Sequence, residues 1–113
     1  MLQIDKIEEN EHVILVLNGE VDASNSVDLD NAIQGLIGAN KKILLDGTSL
    51  EYISSAGLGV FMSYLEEFEE DGIQFVIFGL NSKVFNVFHI LGLDQLITIK
   101  QNKEEALQEI YEA

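Results

Sequence analysis

The part of this sequence best suited to chemistry is a segment with two adjacent serines and two closely spaced glycines. Ser54 and Ser55 precede Gly57 and Gly59, shortly after an apolar run. A serine at a helix start either accepts a hydrogen bond from a free amide or offers its hydroxyl for modification. Glycine costs about 0.5–1 kcal/mol relative to alanine inside a helix. Two glycines in one turn therefore indicate that something approaches the backbone closely there.

No enzyme motif surrounds these serines. His12 and His89 are the two histidines, and neither lies in a metal-ligand pattern. The segment is not a Gly-x-Ser-x-Gly elbow, the chain has no Walker-type Gly-Lys-Ser/Thr motif, and cysteine is absent. We therefore expect no metal and no cofactor, and we interpret the serine segment as a substrate of phosphoryl transfer rather than a catalyst. A rival interpretation is a receiver-like switch that is phosphorylated on Asp46, but the predicted hairpin at the start of the chain disfavours it.

The charge balance narrows the class of partner. The chain has twenty acidic and six basic residues, which gives a formal net charge of −14. Nucleic acid and anionic lipid bind through clustered Lys and Arg, so both are unfavourable partners. A protein with a basic patch would be attracted, above all by the acids at positions 66–71. The alternative is that the acids only form a solvated face. The apolar runs are too short to cross a membrane, and we expect a soluble, cytoplasmic protein.

The apolar pattern predicts alternating strands and helices. Residues 2–7 and 13–17 predict an antiparallel hairpin, and residues 20–24 a polar connection. The later strands alternate with helices, which implies parallel crossovers. The predicted fold class is α/β, one domain over residues 1–113, with a mixed sheet of four to five strands and about four helices. The remaining predicted elements are a helix over 29–37 with Gly38 as its stop, a strand over 41–46, a helix over 55–70, a strand over 73–78, a helix over 82–91, a strand over 96–99, and a final helix that Asn102 caps with Glu105 as its capping-box partner.

Three stretches of the sequence resemble the STAS superfamily, especially the bacterial anti-sigma factor antagonists. The segment Tyr52-Ile53-Ser54-Ser55-Ala56-Gly57-Leu58-Gly59 is similar to the signature loop of that family. The stretch Gly19-Glu20-Val21-Asp22-Ala23 resembles its Gly-Glu-hydrophobic-Asp motif after the second strand, and Val84, Phe88 and Gly92-Leu93 match a later pattern. The resemblance covers nearly the whole chain in the same order of elements.

The resemblance implies a regulatory phosphoprotein rather than an enzyme. Such a protein binds an anti-sigma factor when it is unphosphorylated and so releases the sigma factor, and serine phosphorylation ends the binding. The family's phosphorylated serine lies two residues before the first glycine, which is Ser55 here, with Ser54 as second choice. The implied partners are an anti-sigma factor kinase and a serine phosphatase. The expected partner-binding residues are Asp22, Ala23, Ser24, Tyr52, Ser54, Ser55, Ala56, Gly57, Leu58 and Gly59.

An alternative within the same superfamily is a STAS subunit of a membrane transport or stress-sensing complex, in which the same loop binds a different protein. In either case we expect a monomer or a weak homodimer that neither binds nucleic acid nor inserts into a membrane.

Overall fold

The structure is a computed structural model that describes residues 1–112. Its elements alternate as the apolar pattern predicts. In chain order they are β1 (Leu2–Glu9), β2 (His12–Val21), α1 (Ser26–Gln34), β3 (Lys42–Ile53), α2 (Ser55–Glu70), β4 (Gln74–Phe78), α3 (Ser82–Ile90), a short 3₁₀ helix (Leu93–Gln95), β5 (Thr98–Lys100) and α4 (Lys103–Glu112).

The five strands form one mixed sheet in the order β1-β2-β3-β4-β5. β1 and β2 are antiparallel and the other three pairs are parallel. The predicted α/β class, with an opening hairpin followed by parallel strands, is confirmed. Because parallel neighbours all end at the same edge, the loops after β2 and β3 are brought side by side there.

The two faces of the sheet are covered unequally. On one face, α1, α2 and α3 bury the larger core, with Phe61, Phe88 and Ile33 among its fully enclosed side chains. On the other face, α4 alone packs Ala106 and Ile110 against the strands. This arrangement fixes α2 by its buried side, so its opposite side is left at the surface.

Several predicted boundaries are wrong. β2 continues through Val21, and β3 runs on to Ile53 instead of ending at Asp46, because the two strands stay paired through two register shifts. Most of the region predicted as a loop is therefore strand. α1 ends at Gln34, and the buried Leu36 reaches the core from a turn beyond the helix. The last strand begins only at Thr98.

The predicted caps of the last helix are partly right. Asn102 Oδ1 accepts the Glu105 amide at 2.9 Å, as expected of an N-cap. The Glu105 carboxylate, however, accepts from the Gln101 amide at 3.2 Å, one residue earlier than a capping box requires. Both side chains therefore bond backbone amides at the start of α4, but Glu105 bonds the amide of Gln101 and not that of Asn102.

Candidate functional site

Ser54 begins α2 as its N-cap, as the sequence predicts. Its backbone is extended, with φ −90° and ψ 173°, and its Oγ accepts the Gly57 amide at 3.4 Å. Its carbonyl accepts the Leu58 amide at 3.0 Å, which closes the first helical turn. The Ser54 hydroxyl therefore caps the helix start through a long hydrogen bond.

Ser55 is the first residue within α2, and its side chain is exposed. Within residues 1–112, its hydroxyl makes no hydrogen bond, and the amides of Ser55 and Ala56 have no acceptor. Free amides at a helix start carry partial positive charge and favour an anion. Ser55 thus presents a free hydroxyl beside two open donors, whereas the hydroxyl of Ser54 is occupied.

Asp22 organises the neighbouring loop. Its Oδ1 accepts both the hydroxyl and the amide of Ser24, the latter at 2.9 Å. The Ser24 hydroxyl, followed by its amide, holds the pKa of the Asp22 carboxyl below its ordinary value of 3.8. The carboxylate is therefore charged at neutral pH and held in a fixed position by its own loop.

Sequence reasoning missed Asn25 as a further support of this loop. Its Oδ1 accepts the Asp22 amide at 2.9 Å, and its Nδ2 donates to the Glu20 carbonyl at 2.9 Å. Asparagine in a turn commonly bonds nearby backbone in this way, so its position between a strand and a helix was the available signal.

Strand pairing joins the two loops. Val21 at the end of β2 pairs with Ile53 at the end of β3, and the Ser54 amide donates to the Val21 carbonyl at 2.9 Å. Gly57 then packs over this pair: a β-carbon placed on it would lie 2.7 Å from Val21 Cγ1 and 2.8 Å from Ile53 Cγ1. The Asp22 loop and the serine segment are therefore one continuous surface at one sheet edge.

The predicted partner-binding residues divide by exposure. Tyr52, Ala23, Ser24, Ser55 and Gly59 are exposed, while Asp22, Ser54 and Ala56 are half-buried. Leu58 is only 2% exposed, and Gly57 is also buried. These last two face the core, so the prediction that they bind a partner directly is corrected: they position the surface from beneath.

The two glycines differ in their surroundings. Gly57 is needed for close packing of α2 on the strand ends, whereas a β-carbon on Gly59 would have no neighbour within 4 Å in residues 1–112. The close backbone approach inferred from the sequence is thus internal at Gly57. At Gly59, nothing within the described part of the chain requires a glycine.

The acids at positions 66–71 lie far from the serines. α2 has 16 residues, so Glu66 and Glu69 are about 16 and 21 Å from Ser55 along the axis. The acids that could attract a basic partner therefore lie at the opposite end of α2 from the serine segment.

The receiver-like hypothesis also fails on geometry. Asp46 lies in the middle of β3, paired with Val16 and Phe78, and its Oδ1 accepts the Thr48 amide at 2.9 Å. Among residues 1–112, no group of three His, Cys, Asp or Glu side chains could hold a metal ion. The buried His12 instead bonds the Tyr111 hydroxyl at 2.7 Å and ties α4 to the hairpin.

Across residues 1–112, every helix is too short or too polar to cross a membrane.

Comparisons with known proteins agree with this architecture. The model of the STAS domain family matches residues 3–106. An anti-sigma-B factor antagonist of Listeria monocytogenes is 30% identical over 102 residues, which cover 88% of this chain and 89% of that protein.

Two solved structures share the fold. An anti-sigma factor antagonist from Mycobacterium paratuberculosis aligns with a TM-score of 0.89 at 17% identity, over 97% of this chain and 94% of the other. The phosphorylated form of SpoIIAA, a Bacillus cell fate determinant, aligns with a TM-score of 0.71 at 22% identity, over 97% and 99% of the two chains.

Proposed function

The chain belongs to the STAS domain family, and from that premise we propose that it is an anti-sigma factor antagonist switched by phosphorylation of Ser55. The unphosphorylated protein binds an anti-sigma factor through the joined surface of the Asp22 loop and the serine segment, and this binding releases the sigma factor. The kinship with the Listeria protein supports this class of partner over a subunit of a transport complex. Because sigma factors act on RNA polymerase, the proposed site of action is the cytoplasm.

The observation that carries the proposal is the free hydroxyl of Ser55. It is exposed at the start of α2 and bonded to nothing in residues 1–112, whereas the Ser54 hydroxyl accepts the Gly57 amide. A kinase needs an accessible hydroxyl, and that of Ser55 is exposed at the first residue of α2. This difference favours Ser55 over Ser54 as the acceptor.

Phosphorylation would change the surface around Ser55 and leave the fold unchanged. Transfer of the γ-phosphoryl group of ATP forms an ester bond to Ser55 Oγ, breaks the bond to ADP, and passes the hydroxyl proton to a base of the kinase. The product carries about −1.5 to −2 charges at neutral pH. The open amides of Ser55 and Ala56 accommodate an anion there. That the phosphorylated form of SpoIIAA has the same fold supports this expectation.

A partner bound over Ser55 would face a dianion in place of a small hydroxyl. Burying that charge without a counter-ion costs more free energy than the contact contributes to binding, so the complex dissociates. Asp22 is already ionised beside this surface, and the added charge increases repulsion of any acidic group on the partner. A serine phosphatase would restore the binding form. In this scheme the chain is a substrate of both enzymes and catalyses nothing itself.

The test is phosphate mapping combined with binding measurements. The protein is incubated with a candidate anti-sigma factor kinase and ATP, the phosphate is located by mass spectrometry, and Kd is measured for wild type, Ser55→Ala and Ser55→Asp. We expect Ser55→Ala to bind and resist labelling, and Ser55→Asp to bind at least about tenfold more weakly, a difference of roughly 1.4 kcal/mol.

Ser54→Ala is the matched control, because it removes a hydroxyl one residue away. It should still be labelled at Ser55, with a loss of helix stability of about 0.5–2 kcal/mol. Labelling at Ser54 in the wild type would refute Ser55 as the acceptor, and equal binding by all four proteins would refute the switch.

A further inference from the structure

An open groove lies at the far end of α2, away from the serines. Its volume is about 520 Å³, within the range of ligand-binding clefts. Its floor includes Phe68 and Phe75, whose rings stack with centroids 4.9 Å apart. Leu96 stands at its edge with 64% of its surface exposed. The groove therefore combines an aromatic floor with an unburied leucine.

The rim of the groove is acidic. Glu66 and Glu69 project from α2 three residues apart, which places them on neighbouring positions of one helix face. Both are exposed and neither forms an ion pair within residues 1–112. Glu109 on the other side is already paired with Lys100 at 3.4 Å. No basic residue of the described chain lines the groove.

The apolar floor and the acidic rim together determine which kind of molecule can bind in the groove. A second copy of this chain carries the same net charge of −14 and would be repelled, as would an anionic membrane surface. An apolar side chain flanked by lysine or arginine satisfies both the floor and the rim. Exposed Leu96 then gains a contact that the chain itself does not supply.

We propose that this groove is a second docking site, which binds a segment of a partner protein that presents apolar side chains flanked by lysine or arginine. Its rim acids lie about 16–21 Å from Ser55 along α2, so occupation of the groove leaves the serine surface free. The domain can then hold two partners at once, and the groove site does not depend on the function proposed for Ser55.

The experiment uses a short, fluorescein-labelled peptide built from leucine and lysine at helical spacing. Its binding to the full chain is followed by fluorescence anisotropy, and ¹⁵N chemical shift changes locate the site. A peptide of leucine and glutamate with the same spacing is the charge control. We expect binding of the lysine peptide only, weakened by added salt, with shift changes at Phe75, Leu96 and the end of α2.

Matched variants separate the groove from general attraction to an acidic protein. Glu66→Gln combined with Glu69→Gln should weaken Kd about fivefold or more, as two exposed ion pairs are lost. Glu11→Gln combined with Glu51→Gln makes the same change in net charge outside the groove and should leave Kd within about twofold.

Two leucine variants test the apolar half of the site. Leu96→Ser should weaken binding, while Leu91→Ser, which alters a leucine that is 56% exposed outside the groove, should not. Equal losses in the paired variants would show non-specific charge attraction and overturn the proposal. Shift changes confined to the serine segment, or no binding of the lysine peptide, would overturn it as well.

Discussion

Replacing each glycine of the serine segment by alanine should change stability in opposite directions. Inside a helix, glycine to alanine gains about 1 kcal/mol from backbone entropy and helix propensity. At Gly59 the new methyl group has no neighbour within 4 Å among residues 1–112, so this gain is unopposed. At Gly57 it would lie 2.7 and 2.8 Å from side-chain atoms of Val21 and Ile53.

The clash at Gly57 has no easy relief. Val21 and Ile53 are 0% and 2% exposed, and both are β-branched, so their χ1 angles are restricted by the strands that carry them. Overpacking of this kind costs about 1–3 kcal/mol. Because the helix gain of about 1 kcal/mol offsets part of this cost, we expect Gly57→Ala to be up to about 2 kcal/mol less stable than wild type. Gly59→Ala should be about 1 kcal/mol more stable.

Equilibrium unfolding in urea, followed by circular dichroism, measures both variants. Equal m values would show that the two free energies are comparable. If Gly57→Ala proved as stable as Gly59→Ala, the close packing of α2 on the ends of β2 and β3 would be refuted. Gly59→Ala also tests the proposed interface, because we expect it to stabilise the fold and yet weaken binding of the anti-sigma factor.

Three other predictions follow from the free amides at Ser55 and from the hydrogen bonds of Asp22 and α4. Phosphorylation of Ser55 should raise the free energy of unfolding by about 0.3–1 kcal/mol at low salt, since it places an anion at a helix start; thermal or urea unfolding measures this. The lowered pKa of Asp22 means that its contribution to stability is present at neutral pH and is lost as the pH falls through that pKa. NMR titration should show that Ser24→Ala moves the Asp22 pKa back towards 3.8, and Asp22→Asn should flatten the acid limb of the stability curve. Tyr111→Phe should cost about 1–3 kcal/mol because it leaves Nδ1 of the buried His12 without a hydrogen-bond partner, while Nε2 keeps its contact with Glu9 at 3.3 Å, and amide exchange in α4 should accelerate.

Each of these changes has its own control or contrary result. A phosphorylated protein that unfolds more readily than the unmodified one would contradict the open-amide geometry at Ser55. An Asp22 pKa that is unchanged in Ser24→Ala would show that the serine does not hold the carboxylate. Tyr52→Phe removes a hydroxyl from a tyrosine that is 48% exposed, and a loss of stability equal to that of Tyr111→Phe would argue against the His12 contact.

Local features were readable from the sequence because they depend on neighbours along the chain. The helix of residues 55–70 has the predicted bounds, and Ser54 caps it as expected, since a cap needs only a hydroxyl three residues before the amide that it accepts. The hairpin and the α/β class followed in the same way from apolar periodicity. The resemblance to STAS domains, carried by short motifs, was confirmed by the family match.

Properties set by contacts between distant segments needed the tertiary structure. Pairing with β2 extended β3 to Ile53, and that pairing placed Asp22 beside the serines. Sequence spacing could not distinguish Gly57, which packs on Val21, from Gly59, beside which the described residues leave open space. Residue order thus determined which elements form and how α2 and α4 are capped. Strand register and packing decided which side chains share a surface, because those depend on atoms far apart in the chain.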